Sequence, residues 1–218
     1  MREVPRLATL AGAVLIGGAS RRLGRPKQLL TDRAGRTLVE RAVATLAPFV
    51  DEVALAGEGE VPPALARLPR IADVFGARGP IAGLLGLFAV AADHAWLAIA
   101  CDLPWIDEAA LAWLLGERRA DRIAVVPRRD AGGLETLTAV WEPAVAPVLR
   151  RLAGSGRGSL QPLAEDPRVA TPRVPDRLAR AFADVDDEEA WHRFLAHDAG
   201  PAAGAAEGDE GNGDARAD

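Results

Sequence analysis

The sequence predicts an α/β fold: a three-layer sandwich with a mostly parallel sheet and helices on both faces. Three observations carry that expectation. Short apolar runs alternate with helical patterns over residues 11–153. The first run opens into a glycine-rich, basic loop, residues 17–27. A later run, residues 96–101, ends on one carboxylate, Asp102, followed by Leu103 and Pro104. Ligands of such sheets bind beyond the carboxyl ends of the strands, so the two loops are expected to converge.

The elements follow in order. Residues 11–16 read as a first strand. Residues 37–46 read as a helix, because Thr37 and Glu40 have capping-box spacing and Leu38, Val43 and Leu46 share a face. A second strand spans 52–56, a short helix 62–68 and a third strand 70–74. Residues 81–92 are apolar on nearly all sides, which predicts a buried helix, with Pro80 at its first turn. Residues 96–101 make a central strand, and Asp107 caps a helix to residue 117. Strands over 122–127 and 134–141 flank the turn at residues 130–133, and a helix over 143–153 has Pro143 at its start. A last helix, opened by Asp184, Asp186 and Asp187, ends near Leu195.

Composition narrows the class. At 218 residues and 49% hydrophobic, the chain can bury one sizeable core. We assign residues 1–198 to one domain and 199–218 to a disordered tail of Gly, Ala and acidic residues. A net charge of −5 excludes a general nucleic-acid binder. The single cysteine, Cys101, excludes an internal disulfide framework and reads as a buried thiol. His94, His192 and His197 lack zinc spacing and read as surface residues. No apolar run reaches the roughly 18 residues of a membrane span. Arg2 and Arg6 before an apolar stretch outline a signal peptide, but cleavage there would destroy the basic loop, so the expected location is the cytoplasm.

The loop itself points to an anion. Gly17, Gly18 and Gly24 let backbone approach a ligand, and Arg21, Arg22, Arg25 and Lys27 supply four cations within seven residues. It fits neither G-x-x-x-x-G-K-[ST] nor G-x-G-x-x-G, since Pro26 precedes Lys27 and keeps Arg25 extended. A loop this long suits a nucleoside triphosphate. Asp102 at a buried strand end reads equally as a Mg²⁺ ligand or as the cap of the next turn. Beside Asp73, the Gly79-Pro80 start of the next helix reads equally as a place where helix N–H groups face an acceptor or as a simple turn and helix start. No Ser, Cys or His constellation for covalent catalysis is present.

The run Leu15-Ile-Gly-Gly-Ala-Ser-Arg-Arg-Leu-Gly-Arg-Pro-Lys27-Gln-Leu-Leu30 resembles L-x-G-G-x-S-x-R-[ML]-G-x-x-K-x-L-L. That signature belongs to the nucleotidyltransferases that activate sugar phosphates and pterin cofactors. Over residues 13–195 the chain is most similar to the molybdenum cofactor guanylyltransferases, a MobA-like family. The resemblance implies a Rossmann-like, nucleotide-diphospho-sugar transferase fold. It implies transfer of GMP from GTP to molybdopterin-bound molybdenum cofactor, releasing pyrophosphate, with molybdoenzymes or their chaperones as further partners. Leu15, Ile16, Gly17 and Gly18 would bind the nucleotide, helped by Asp73 and Gly79. Arg22 and Lys27 would neutralise the triphosphate, and Asp102 would hold Mg²⁺, with Asp186 as a second metal contact.

Glycine rather than alanine at 17, together with Gly79-Pro-Ile-Ala-Gly83, resembles the guanine-using relatives rather than the cytidine-using ones. Phe182 matches the family, but Asp184 and Asp186 stand where it has Asn. The second-substrate segments resemble residues 135–140 and 156–159, where Arg157 and Ser159 would hold a phosphate; the family's Pro and Tyr are missing from Thr136-Leu-Thr-Ala-Val-Trp141. Three readings stand beside the first: cytidylyl transfer to the same pterin, nucleotidyl transfer to a sugar or alcohol phosphate, and a nucleotide-binding regulatory module without turnover, which the altered Asp184–Glu189 segment keeps open.

Overall fold

The computed structural model describes residues 7–17, 23–129, 133–156 and 158–198. Its seven-stranded sheet consists of β1 (Leu10–Leu15), β2 (Val53–Ala56), β3 (Arg70–Ile71), β4 (Ala95–Ala100), β5 (Ala124–Val125), β6 (Ala139–Trp141) and β7 (Val169–Ala170). The order is β3-β2-β1-β4-β6-β5-β7. All neighbours pair in parallel except β6, which runs against both β4 and β5. The helices are α1 (Leu38–Leu46), α2 (Pro80–Val90), α3 (Glu108–Gly116), α4 (Ala146–Gly154) and α5 (Glu188–His197).

Strand β4 is buried at every position because helices cover both sheet faces, and its sequence is accordingly one unbroken apolar run. Its side chains alternate between two cores. Trp96 and Ala98 join α2 and α4 residues such as Leu84 and Leu149. Leu97 and Ile99 join α1 and α3 residues such as Leu46 and Leu111. Each fully buried Leu or Ile of this kind contributes about 2 kcal/mol. A third, smaller cluster fixes the C-terminal segment: Val185, Trp191 and Phe194 pack on Leu30 and Leu38.

The caps form as their residue types require. The Thr37 hydroxyl accepts from the Glu40 N–H, and the Glu40 carboxylate accepts from the Thr37 N–H at 2.8 Å. Asp107 and Asp187 each accept a hydrogen bond from the residue three positions on, capping α3 and α5.

Several elements are shorter than expected, each for a local reason. The strand expected over 70–74 ends at Ile71, because the Val74 N–H turns away to donate to the Ala82 carbonyl of α2 at 3.1 Å. The helix expected over 62–68 is one 3₁₀ turn, Pro63–Leu65, in a segment whose prolines lack donors. The strands expected over 122–127 and 134–141 reduce to β5 and β6, since Pro127 cannot donate and residues 135–138 form a turn in which the Thr138 N–H reaches the Glu135 carbonyl. The helix expected over 143–153 opens as a 3₁₀ turn, Pro143–Val145, because Pro147 has no N–H for the first α-helical bond. Strand β7 and the 3₁₀ run Asp176–Phe182 are additions. The expected tail, residues 199–218, lies outside the described residues.

Candidate functional site

Strands β1 and β4 are neighbours, with Leu15 opposite Ala100, and their chains continue side by side at the carboxyl edge of the sheet. The Cys101 N–H still donates to the Leu15 carbonyl, at 3.2 Å. The connection from β1 leads towards β2, on the opposite side from β4, so a crevice opens between the two ends. Ile16 and Gly17 form one lip of it, and Cys101 and Asp102 the other. Gly17 has a φ of +95°, and a Cβ there would stand 2.5 Å from the Glu58 carbonyl oxygen. Backbone from the β1 and β2 ends therefore meets over this residue at a distance that no side chain permits.

Lys27 reaches the crevice from the far end of the loop. Pro26 precedes it in extended geometry, and residues Lys27–Leu29 form a 3₁₀ turn. Gln28 is buried, and its amide donates to the Glu60 carbonyl at 3.4 Å, which fixes the turn against the β2 end. The Lys27 ammonium donates to Asp102 Oδ2 at 2.9 Å. It also donates to Asp186 Oδ1, on the segment before α5. The Val185 N–H donates to the Asp102 carbonyl at 2.9 Å, so that segment is attached by backbone as well. Burial pushes the Lys27 ammonium pKa down, but hydrogen bonds and charge from Asp186 and Asp102 outweigh it, and the pKa is raised. The site's lysine is a cation at neutral pH.

The third wall comes from the start of α2. Gly79 is its N-cap and Pro80 its first residue. Asp73 lies over the first turn, where a Cβ on Gly83 would meet Asp73 Oδ1 at 3.3 Å. Glycine at 83 gives that carboxylate its place. Partial enclosure, and next the Glu58 carboxylate, hold the Asp73 pKa above its ordinary value.

Together these residues line a cavity of about 310 Å³ that contains Leu15, Ile16, Gly17, Lys27, Asp73, Gly79 and Asp102. All seven were expected from the sequence to bind nucleotide. Asp186 stands beside it through Lys27. Gly18 and Arg22, expected to complete the loop, and Arg157 lie outside the described residues. Cys101 also borders the cavity; burial, and next the charge of Asp102, push its thiol up to about 12, so it is neither a thiolate ligand nor a nucleophile.

A second cleft, of about 190 Å³, adjoins the first and shares Ala100, Asp102 and Leu137 with it. Its other walls include Arg129, Glu135, Thr136, Thr138 and Asp184. Arg129 pairs with the Glu135 carboxylate and donates to the Phe182 carbonyl at 3.1 Å. Burial raises the Glu135 pKa against the opposing pull of Arg129, with the Asp184 and Asp102 charges adding to the rise. Arg129 gave no signal in the sequence, where it stands as one more cation before a turn. Trp141 is fully buried in the core, away from both clefts. The segment that carries Ser159 lies against the α2 start, where a Cβ on Gly79 would stand 3.0 Å from the Gly158 carbonyl oxygen, and the Ser159 hydroxyl accepts the Gln161 N–H at 3.2 Å.

The Asp102 and Asp186 oxygens converge on one ammonium, so two hard ligands stand where a small cation is held. That donor set suits Mg²⁺, which takes one or two carboxylates plus phosphate oxygens. Among the described residues no group of three or more His, Cys, Asp or Glu is placed to hold a metal, so phosphate oxygens and waters would complete its shell.

Residues 12–169, which carry all three walls of the crevice, match the MobA-like NTP transferase domain. The chain belongs to this family. A probable molybdenum cofactor guanylyltransferase from Opitutus terrae is 35% identical over 189 residues, spanning 84% of this chain and 88% of that protein. A molybdenum cofactor guanylyltransferase from Desulfosudis oleivorans is 27% identical over 184 residues, spanning 84% and 89%. Among solved structures, molybdopterin-guanine dinucleotide biosynthesis protein A from Archaeoglobus fulgidus has the same fold, with a TM-score of 0.70 at 24% identity, over 85% of this chain and 97% of that one. This MobA-like chain has, among its described residues, no helix long and apolar enough to cross a membrane.

Proposed function

We propose that the chain transfers GMP from GTP to the molybdopterin form of the molybdenum cofactor, with release of pyrophosphate, in the cytoplasm. One observation carries this reading: a single cavity gathers the β1-end glycine, the Asp73 carboxylate and the Lys27–Asp102 pair, all within the family's domain. The names of the curated relatives supply the substrates.

The chemistry asks little of the protein beyond position and charge. A phosphate oxygen of the acceptor attacks the α-phosphorus of GTP; a new P–O–P linkage forms, the bond to the β-phosphate oxygen breaks, and pyrophosphate leaves with its electron pair. The attacking phosphate is already an anion, so no general base is needed. Gly17 and the backbone around it would take the nucleoside, with the Asp73 carboxylate accepting from the N–H edge of the base. The Lys27 ammonium would stabilise charge growing on the leaving pyrophosphate. When bound, Mg²⁺ would be held by Asp102 and Asp186 and would neutralise triphosphate charge. The acceptor would lie in the adjoining cleft, next to Asp102.

Guanine over cytosine is supported by Gly17. The cytidine-using relatives tend to carry alanine there, and in this chain the Glu58 carbonyl leaves no room for that methyl group. The test is thermal stabilisation by GTP, CTP, ATP and UTP, each with and without Mg²⁺, followed by pyrophosphate release with molybdopterin present. Selective Mg²⁺-dependent stabilisation by GTP and release only with molybdopterin are expected. Selective stabilisation by CTP, or binding without release, overturns the reading.

A further inference from the structure

The Lys27 ammonium stands between the two carboxylates that the reading above assigns to a metal, and that placement has a consequence for the order of binding. An ammonium and a divalent cation compete for the same oxygens. Lys27 holds both: Asp102 Oδ2 at 2.9 Å, and Asp186 Oδ1 in closer contact. Pro26 on one side and the buried Gln28 on the other hold the Lys27 backbone beside both carboxylates, while the four-carbon side chain leaves the ammonium able to change partners. The Val185 N–H bond to the Asp102 carbonyl keeps the Asp186 backbone next to the β4 end. A divalent ion entering between the carboxylates would meet a positive charge already in place. Among the described residues it would also find only two carboxylates, the number a hard cation usually takes together with phosphate oxygens and waters.

Lys27 also lines the nucleotide cavity, so a triphosphate seated there offers the ammonium a second set of anionic partners. We infer that Lys27 occupies the metal position in the nucleotide-free protein, and that the divalent cation is admitted only together with the polyphosphate that draws the ammonium away. Lys27 is thus a positioning residue for metal binding in addition to its role toward the phosphates. The inference rests on Asp102 and Asp186 being the metal ligands. It does not depend on which nucleotide or acceptor the enzyme uses.

The experiment measures Mn²⁺ binding to the full chain by loss of the free-ion electron paramagnetic resonance signal, with no nucleotide and no acceptor present. Lys27→Met and Lys27→Gln, both checked for native far-UV circular dichroism, are expected to bind Mn²⁺ about tenfold or more tightly than wild type, because the competing charge is gone. Adding Asp102→Asn to Lys27→Met should abolish the gain. In the wild type, GTP and Mn²⁺ should tighten each other's binding by one common factor, as linkage requires, and that factor should shrink in Lys27→Met. Equal Mn²⁺ affinity in wild type and both Lys27 variants overturns the inference, as does a gain that survives Asp102→Asn. Failure of guanylyl transfer in the assay described earlier would leave these Mn²⁺ results fully readable.

Discussion

Two cation–carboxylate clusters tie the C-terminal segment to the body of this protein, and they are built for opposite ends. In one, Arg41 bridges Asp32 at 2.6 Å and Asp198 at 3.5 Å. In the other, Lys27 bridges Asp102 and Asp186. The Asp32 side chain is 0% exposed and also accepts from the Ala34 and Arg36 N–H groups, at 2.9 and 2.8 Å. Arg41 spends its remaining donors on the Pro104 carbonyl and lies over the Phe194 ring. Arg41 and Arg36 border a shallow cleft of about 200 Å³, but the named partners of Arg41 are protein groups and the planar guanidinium fixes their geometry. The Lys27 cluster instead faces a cavity, its Asp186 is 51% exposed, and its cation is a compact point charge that can change partners. Arg41 is no less exposed than Lys27, at 22% against 17%, but an arginine whose fork is filled by protein oxygens makes a lasting joint. A lysine at a cavity wall makes one that a ligand can exchange.

That contrast can be broken experimentally. The largest effect is expected at the open cluster: Lys27→Ala or Asp102→Ala should slow pyrophosphate release from GTP by about 100-fold or more while folding normally. A fully active Asp102→Ala enzyme would end its assignment as a metal ligand. Arg41→Met should do the reverse, costing about 3 kcal/mol in urea unfolding because Asp32 is left buried without its main cation, with turnover per folded molecule unchanged. The same cluster sets a pH dependence. Burial raises the Asp32 pKa, but the Arg41 hydrogen bond and the Arg36 N–H bond outweigh it, so the folded pKa is lowered. Its contribution is therefore present above the ordinary aspartate value of about 3.9 and is lost as pH falls through the lower folded value. Acid titration of unfolding free energy should show that loss in wild type and not in Asp32→Asn.

A smaller effect is expected from Asp73→Asn: about tenfold weaker GTP binding near neutral pH, the worth of one hydrogen bond to a charged acceptor. Because the Asp73 pKa is raised, wild-type affinity should decline as pH drops through it, and the variant should lack that slope. Titration calorimetry at several pH values checks both. The smallest effect belongs to a third, exposed pair. Arg193→Ala removes the 2.8 Å contact to Glu189 on the outer face of α5 and should change stability by less than about 0.5 kcal/mol.

What could be read in the sequence was what short-range chemistry dictates. The Thr37–Glu40 box, the Asp107 cap and the all-apolar β4 run each needed only neighbours within a few positions. The cavity was legible too, because strand-end loops of a parallel sheet must meet, and that brought Lys27 to Asp102 across 75 positions. The harder parts depend on backbone bonds made at a distance. Val74 leaves the sheet for a carbonyl of α2, which no pattern in residues 70–74 announces. Strand β7 is two residues long, too short for a period to register. Arg129 matters only because Glu135 and the Phe182 carbonyl receive it, and neither its spacing nor its neighbours signal that.

The hydrogen bond from Val185 to Asp102 sets a timetable for synthesis. A nascent chain that has emerged through Asp102 already carries Lys27 and the strand-end carboxylate, and its parallel core of β1 to β4 is complete in sequence. The stitch, and with it Asp186, arrives only after β7, the last strand of the sheet to be made. The anion-handling pocket therefore closes only after every strand of the sheet has been made.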